Sequence, residues 1–309
     1  MDRALQQQAE AVMARGSKSF AAATRLFESG TRRDVMLLYA WCRHCDDLTD
    51  GQDLGHGRLQ TASEKTLERL RADSLTALST APCGDFPYQA LAEVARRHPI
   101  SPRLVEAHLR GFELDATGWR PETLQDTLQY SYHVAGSVGL MMALIMGVRD
   151  QHTLYRACDL GLAFQLTNIA RDVAEDAQAG RSYLPAEWLK HAGLRIPDLA
   201  DAACRDRVFP LVRRLIGEAE PYYRSAAIGI RALPRRSAWA IATAGAVYRD
   251  IGREIVRRGP DALGDRVYTG NGRKAWRVVS AMPAALAPRR RVEHDGSSRN
   301  GLWTTPAIF

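Results

Sequence analysis

Apolar residues recur along the chain with the spacing of amphipathic helices, and no segment shows convincing strand-like alternation. Between residues 66 and 78, leucines occupy positions 67, 70, 75 and 78, close to the helical period of about 3.6 residues. Similar patterns extend over 31–50, 102–115, 122–148, 151–178, 205–231 and 236–258. Prolines and glycines separate these segments without a long linker or a fixed repeat. The pattern predicts an all-α protein formed by one helical bundle.

The character of the sequence changes after Met282. Pro283, Pro288, the run Arg289-Arg290-Arg291 and a Gly-Ser-Ser stretch leave little pattern from which a core can form. We therefore predict a main domain over residues 1–281 and a basic, loosely ordered tail over residues 282–309.

The composition and the N-terminal sequence predict a cytoplasmic protein. Hydrophobic residues make up 46% and charged residues 25% of the chain, as in ordinary globular proteins. The five cysteines form no disulfide framework, and Cys42-x-x-Cys45 lacks the second ligand pair that a zinc site needs. The N-terminus has no signal-peptide pattern, and the longest apolar stretch, 136–148, is shorter than the ~20 residues that span a bilayer. We therefore expect neither a signal peptide nor a transmembrane helix.

Positive charge is concentrated in the last third of the chain. The net charge is +7, and residues 201–309 contain 20 Lys and Arg against 10 Asp and Glu. A solvated basic face is the simplest interpretation, but such a surface also suits anionic lipid, nucleic acid or a phosphorylated substrate. Stacking aromatics interleaved with the basic residues are sparse, so we expect no nucleic-acid partner. Peripheral contact with an anionic membrane is the more plausible alternative.

Two acidic pairs stand on helical faces that are otherwise polar. Asp46 and Asp50 are four residues apart, as are Asp172 and Asp176, so each pair projects from one side of its helix. Polar residues lie one and two turns before each pair on the same side, namely Arg43 and Tyr39, and Asn168 and Gln165. Like charges at this spacing weaken an isolated helix by a few tenths of a kcal/mol. A solvated helix end explains one such pair more easily than two.

Paired carboxylates of this kind suit a metal ion that carries a phosphorylated substrate. Mg2+ takes oxygen ligands, keeps several waters and bridges a few carboxylates to substrate phosphates. A metal ion also stabilises the charge that develops on a departing diphosphate. We therefore predict a site for Mg2+, with Mn2+ as the alternative metal, and for a diphosphate.

Longer motifs surround both acidic pairs. Leu160-Gly161-x3-Gln165-x2-Asn168-Ile169-x-Arg171-Asp172-Val173-x-Glu175-Asp176 is followed by Arg181-x-Tyr183-x-Pro185, and Tyr130-Ser131-x2-Val134-Ala135-Gly136-x-Val138-Gly139 precedes them. These motifs resemble the two signatures of the squalene/phytoene synthase family. Ser17-Lys18-Ser19-Phe20, Tyr39-x3-Arg43-x2-Asp46-x3-Asp50, Tyr248 and Arg266-Val267 also resemble it. The resemblance covers about residues 10–280 and leaves the tail outside.

The resemblance implies a fold and a set of functional residues. The fold would be the isoprenoid synthase helical bundle around a central apolar cavity, with residues 1–281 as a head-to-head prenyl synthase domain. The implied metal ligands are Asp46, Asp50, Asn168, Asp172 and Asp176. The implied substrate-binding residues are Ser17, Ser19, Arg43, Arg171, Tyr248 and Arg266. The implied catalytic set includes the four aspartates, Arg43, Asn168 and Tyr248, and adds Tyr39, Tyr130, Gln165 and Tyr183.

The resemblance also implies a reaction, that of a transferase in carotenoid biosynthesis. Two geranylgeranyl diphosphates would condense through a cyclopropylcarbinyl diphosphate to phytoene, with loss of two diphosphates and without NADPH. A C30 synthase that uses farnesyl diphosphate stays open, because the prenyl length depends on the depth of the cavity. The apolar segment 134–148 would form part of the cavity wall or belong to the ordinary core.

Two other classes of protein share part of these sequence features. Chain-elongating prenyltransferases and terpene cyclases also use the pattern Asp46-Asp47-x2-Asp50, but their second metal motif differs from Arg171-Asp172-x2-Glu175-Asp176. A basic helical protein that binds membranes or nucleic acid is the more distant alternative.

Overall fold

The structure, a computed structural model, describes residues 3–16, 21, 23–50, 62–79, 84–268, 270–286 and 299–305. The α-helices with defined bounds in these ranges are α1 (Arg3–Gly16), α2 (Ser29–Asp50), α3 (Glu64–Thr76), α4 (Phe86–Arg97), α5 (Pro102–Ala116), α6 (Leu124–Ser131), α7 (Ser137–Ile145), α8 (Gln151–Gln178), α9 (Ala186–Ala192), α10 (Arg205–Ile230), α11 (Arg235–Arg258), α12 (Asn271–Ser280) and α13 (Met282–Leu286). No strand occurs in these ranges. The all-α prediction is confirmed.

Helix α8 is the central element of the bundle. The Asp150 carboxylate caps its first turn by accepting a 2.9 Å hydrogen bond from the Thr153 amide, which satisfies one of the amide donors that a helix start leaves free. The helix has 28 residues and is therefore about 42 Å long. It packs most extensively against α10 and also contacts α7 and α11. Residues of this one helix contribute to both ends of the central cavity.

The backbones of helices α7 and α8 lie in close contact. A π-helical turn, Tyr132–Gly136, joins α6 to α7, and such turns locally widen a helix. A Cβ placed on Gly139 or Gly161 would collide with the Ala157 or Ala135 carbonyl, respectively. Glycine at these two positions therefore lets the wall formed by the π-turn and α7 lie directly on α8.

An apolar cavity of about 470 Å³ lies between these helices and α2, α5, α10 and α11. From the segment 134–148, the side chains of Val134, Val138, Met142 and Met146 line the cavity. They are four residues apart and share one helical face. Leu140, Met141 and Leu144 are buried in the core instead. The predicted segment thus serves as wall on one face and as ordinary core on the others.

Residues 299–305 pack against the bundle, although the sequence places them in a loosely ordered tail. The Arg299 guanidinium forms hydrogen bonds of 2.8 and 2.7 Å with both carboxylate oxygens of Asp159, a residue that is fully buried. The Trp303 amide donates to the Tyr222 hydroxyl at 3.1 Å. The Trp303 ring lies 5.3 Å from the ring of Tyr132. A buried ion pair and an aromatic contact therefore fix this segment to the protein.

In the described part of the chain, none of the helices is long and apolar enough to cross a bilayer.

Candidate active site

The last turns of α2 form one side of the cavity mouth. Tyr39, Arg43 and Asp46 all line the cavity, as their spacing on one helical face predicts. The Arg43 guanidinium lies 3.0 Å from a carboxylate oxygen of Asp46 and 2.7 Å from one of Asp47. Burial raises the pKa of Tyr39 to about 12, so this phenol remains a hydrogen-bond donor at neutral pH. The mouth therefore carries a carboxylate, a guanidinium and a neutral phenol side by side.

The second acidic pair holds two further arginines, one helical turn beyond Asn168 of the cavity lining. Arg171 Nε lies 2.7 Å from Asp172 Oδ1, and Arg266 Nε lies 3.1 Å from the same oxygen. Arg266 also reaches Glu175 at 3.1 Å. A planar guanidinium fits the paired oxygens of a phosphate as well as those of a carboxylate. Arg171 and Arg266, predicted to bind diphosphate, thus lie on a predicted metal ligand.

Asp176 lies in a setting that disfavours its negative charge. Burial, followed by the neighbouring Asp172 carboxylate, raises the pKa of Asp176 to about 7, with Arg181 opposing the shift. A divalent cation between two such carboxylates would relieve both the repulsion and the desolvation. In the described ranges, no group of three or more His, Cys, Asp or Glu residues is placed to hold a metal ion. One or two carboxylates, with the remaining positions taken by water and phosphate, are the usual protein ligands of Mg2+, so the donor set fits such an ion.

Gln165, Asn168 and Tyr248 also lie on the cavity lining. The Asn168 side-chain amide nitrogen lies 3.5 Å from the side-chain oxygen Oε1 of Gln165. The Tyr248 ring stacks on Phe164 with the ring centres 4.2 Å apart. Burial raises the pKa of Tyr248, and the neighbouring Arg171 opposes this shift only in part. This phenol therefore stays neutral close to the Asp172 cluster.

Asp115 belongs to the site but was missed in the sequence. It lines the cavity and accepts hydrogen bonds from the hydroxyls of Tyr130 at 3.0 Å and Tyr183 at 2.7 Å. The two tyrosine rings stack with centres 4.6 Å apart, and the Trp119 ring also stacks on Tyr130, with centres 5.9 Å apart. Asp115 stands alone near the end of α5 with no acidic partner at helical spacing. No sequence signal could have found it, because its partners come from α6 and from the segment after α8.

His108 is a second cavity residue that the sequence analysis left out. Its Nδ1 lies 3.3 Å from the His133 carbonyl oxygen, and its Nε2 has no hydrogen-bond partner in the described part of the structure. Burial lowers the pKa of His108 to about 4, so the ring is neutral at physiological pH. It adds a polar but uncharged group to the wall.

Three predicted side chains lie outside the described residues, namely those of Ser17, Ser19 and Asp50. Asp50 is the last residue of α2. Gly16 ends α1 directly against the Tyr39 hydroxyl, where a Cβ would collide with it. Helix α1 therefore ends beside the cavity, immediately before Ser17 in the sequence.

We expect Asp115→Asn to lower kcat by about 10- to 100-fold, because the amide no longer accepts two hydrogen bonds from phenols as an anion does. Loss of this orientation should disturb Tyr130 and Tyr183 together. Steady-state kinetics would be compared with Tyr183→Phe, which removes only one of the two hydrogen bonds. An Asp115→Asn enzyme as active as the wild type would show that the two tyrosines do not depend on this carboxylate.

The fold and the site together define an isoprenoid synthase, in which carboxylates and arginines meet at the mouth of an apolar cavity inside a helical bundle. The family model for squalene/phytoene synthase matches residues 13–273. The chain belongs to the squalene/phytoene synthase family and is an enzyme of the prenyltransferase type.

Individual relatives cover nearly the whole chain. The 15-cis-phytoene synthase of Pantoea ananas is 49% identical over 297 residues, which cover 95% of this chain and 96% of that protein. The 15-cis-phytoene synthase of Paracoccus sp. is 46% identical over 294 residues, which cover 94% of each. A crystal structure of a dehydrosqualene synthase in complex with ligand has a TM-score of 0.81 and 28% identity, covering 91% of this chain and 96% of that one.

Proposed function

We propose that the protein condenses two geranylgeranyl diphosphates head to head to phytoene, through a cyclopropylcarbinyl diphosphate, in carotenoid biosynthesis. Two diphosphates leave in the course of the reaction. The observation that carries this proposal is that Arg43 and Asp46 pair on the lining of one apolar cavity, while Arg171 and Arg266 both pair with Asp172, one helical turn beyond the lining residue Asn168. The near-half identity to 15-cis-phytoene synthases along the whole chain supports the C20 substrate.

The reaction begins when the C–O bond of one prenyl diphosphate breaks and leaves an allylic cation. The arginines Arg43, Arg171 and Arg266 would bind the departing diphosphate, since a guanidinium fork matches its oxygens. The C2=C3 bond of the second molecule attacks the cation, and proton loss closes the cyclopropane ring. A second ionisation, rearrangement and proton loss then yield the conjugated hydrocarbon without a reductant.

The aromatic and apolar walls protect the cationic intermediates. The rings of Tyr39, Tyr130 and Tyr248 line the cavity, and aromatic rings attract positive charge. Val138, Met142 and Phe164 exclude water from the interior, which would otherwise trap a carbocation as an alcohol. The residues of this chain therefore bind the leaving group at the mouth and stabilise the hydrocarbon cation deeper inside.

Mg2+, with Mn2+ as a substitute, would be held by Asp46, Asp50, Asn168, Asp172 and Asp176. When bound, it would supply positive charge that stabilises the leaving diphosphate. The raised pKa of Asp176 and the position of Asp46 on the cavity lining support this assignment.

A product assay tests the proposed function. Purified protein with Mg2+ and no NADPH receives geranylgeranyl diphosphate or farnesyl diphosphate in separate reactions, and the hydrocarbon fraction is analysed by mass. We expect a C40 hydrocarbon from the first reaction. A C30 hydrocarbon formed only in the second would overturn the C20 assignment, and prenyl alcohols or longer diphosphates would overturn head-to-head coupling itself.

We further propose that an anionic membrane is a partner, contacted through the exposed face of α12 and α13. This face carries Trp276, Val279, Met282 and Leu286, which are 62%, 58%, 44% and 70% exposed. Arg273 and Lys274 flank it on α12. The opposite side of α12 is fixed to the bundle, because Arg277 pairs with Asp250. An apolar face bordered by basic residues is the arrangement of helices that lie in a lipid interface.

The double variant Trp276→Ser/Leu286→Ser should lower binding to vesicles that contain anionic lipid by at least about tenfold, since two apolar side chains no longer enter the interface. Vesicle flotation at low and high salt would measure this loss. Ile228→Ser, which removes an apolar side chain of 37% exposure from α10, is the matched control. Equal binding by the double variant and the wild type would show that this face does not contact the membrane.

A further inference from the structure

A charged residue closes the end of the cavity that lies opposite the carboxylates. Arg156 is on the cavity lining together with Met146, Thr153 and Leu233. All four are buried, and Arg156 is only 3% exposed. Elsewhere the charged lining residues are Arg43, Asp46 and Asp115, which belong to the mouth or to its tyrosine cluster. An arginine at the deep end of an apolar cavity is not explained by the chemistry at the mouth.

A chain of polar contacts holds this arginine in place. Arg156 Nη1 donates to the Ser225 hydroxyl oxygen at 3.0 Å and to the Ser225 carbonyl at 3.4 Å. The Ser225 hydroxyl in turn donates to Asp159. Arg299 forms two hydrogen bonds with the same Asp159 carboxylate, at 2.8 and 2.7 Å. We refer to Arg156, Ser225, Asp159 and Arg299 as the floor network.

Segment 299–305 fixes the floor network from outside the bundle. Arg299 Nη2 donates to the Trp303 carbonyl at 3.1 Å, and the Trp303 amide donates to Tyr222 at 3.1 Å. The guanidinium also lies 5.1 Å above the ring of Tyr155. The segment therefore joins α8, which carries Asp159 and Tyr155, to α10, which carries Ser225 and Tyr222.

Arg156 also has little room to withdraw from the cavity. A Cβ on Gly229 would lie 2.7 Å from the Cβ of Arg156, which is closer than real side chains approach. The backbone of α10 thus supports the stem of Arg156 from behind. Both the guanidinium and its stem are held, so the position of the floor is set.

The distance between Arg156 and the polar end of the cavity corresponds to the length of a prenyl chain. Arg156 and Asn168 are twelve residues apart on α8, and Arg156 and Asp172 are sixteen apart, which places them about 18 and 24 Å apart along the axis. That distance suits an extended chain of four isoprene units better than one of three. A longer apolar tail would have to press on a buried guanidinium and disturb its hydrogen bonds, which is costly in a dry site.

We propose that Arg156 is a specificity-determining residue that sets the longest prenyl chain the enzyme accepts, and that Ser225, Asp159 and Arg299 are its positioning residues. The inference rests on the proposed function, because it assumes that the cavity holds the prenyl tail of a diphosphate substrate.

The test is a competition among diphosphates of three lengths. Enzyme with Mg2+ receives equimolar farnesyl, geranylgeranyl and geranylfarnesyl diphosphate, with fifteen, twenty and twenty-five carbons, and the ratio of kcat/KM values is obtained from the consumption of each. For Arg156→Ala we expect the ratio of C25 to C20 to rise at least tenfold over the wild type. Loss of stability alone lowers all three values together and leaves their ratios unchanged.

Two further variants keep the proposal testable if Arg156→Ala does not fold. Gly229→Ala should push the stem of Arg156 into the cavity and lower the ratio of C20 to C15 at least threefold. Arg299→Met should shift the ratio of C25 to C20 upward by about threefold, with Arg299→Lys restoring part of the original ratio. Arg149→Ala is the matched control, because Arg149 is an exposed arginine that bonds the Leu144 and Val148 carbonyls and does not line the cavity.

Unchanged length ratios in folded Arg156→Ala and Gly229→Ala would overturn the proposal. A wild-type enzyme that prefers C15 would overturn the C20 assignment but not the floor, since the ratios of adjacent lengths would still shift in the variants. Conversion of none of the three diphosphates to hydrocarbon by the wild type would overturn the proposed function itself.

Discussion

Asp172→Asn should lower kcat/KM for the prenyl diphosphate by about 10³-fold, because removing a metal-binding carboxylate forfeits several kcal/mol of stabilisation of the departing diphosphate. The same side chain is the common partner of Arg171 and Arg266. Its loss should therefore also release the two guanidinium groups from their present positions. Steady-state kinetics with Mg2+, together with far-UV circular dichroism, would measure the effect on activity and on fold separately.

Glu187→Gln provides the control for Asp172→Asn. Glu187 lies in the first turn of α9 and is exposed. Its substitution by Gln makes the same carboxylate-to-amide change away from the cavity. Its activity should equal that of the wild type. Full activity of Asp172→Asn would show that Asp172 is unnecessary for ionisation of the substrate. Loss of the helical circular dichroism signal would show that Asp172 has a structural role.

Asp176→Asn should abolish turnover and yet stabilise the metal-free protein at pH 8. Burial and Asp172 raise the pKa of Asp176 from its ordinary value of 3.8 to about 7. The folded protein therefore binds a proton between about pH 4 and 7 that the unfolded chain releases, so this carboxyl makes stability fall as pH rises through that range. An amide cannot ionise, and its melting temperature at pH 8 should exceed that of the wild type by on the order of 5 °C.

Calorimetry at several pH values and metal concentrations tests this prediction about Asp176. The difference in melting temperature should vanish near pH 4, where Asp176 of the wild type is protonated. Mg2+ should stabilise the wild type at pH 8 by mass action and the variant much less. A variant that melts below the wild type at pH 8 would contradict the proposed strain between the two carboxylates.

The helical segments and the two acidic faces were predictable from the sequence because both depend on local spacing. The period of about 3.6 residues brings Asp172 and Asp176 to one side of α8 with Gln165 and Asn168, whatever the rest of the chain does. The same argument places Tyr39, Arg43 and Asp46 together on α2. The motifs around these residues then indicated the family to which the chain belongs.

The same local argument could not divide segment 134–148 into wall and core. Every residue there is apolar or small, so hydrophobicity alone does not separate Met142, which lines the cavity, from Met141, which is fully buried beside it. The division depends on which neighbours face each side of α7. That information lies in the packing of α8 and α5 rather than in the segment.

The sequence by itself determined the helices, the polar faces and the family, since each of these follows from residues close together in the chain. Only the tertiary structure decided that Asp115 accepts a hydrogen bond from Tyr183, 68 residues away, and that Arg299 pairs with Asp159, 140 residues away. It also decided the pKa of Asp176, which is set by burial and by charges on other turns and segments. Periodicity extends over a few turns of helix, whereas a buried charge is stable only where distant segments meet around it.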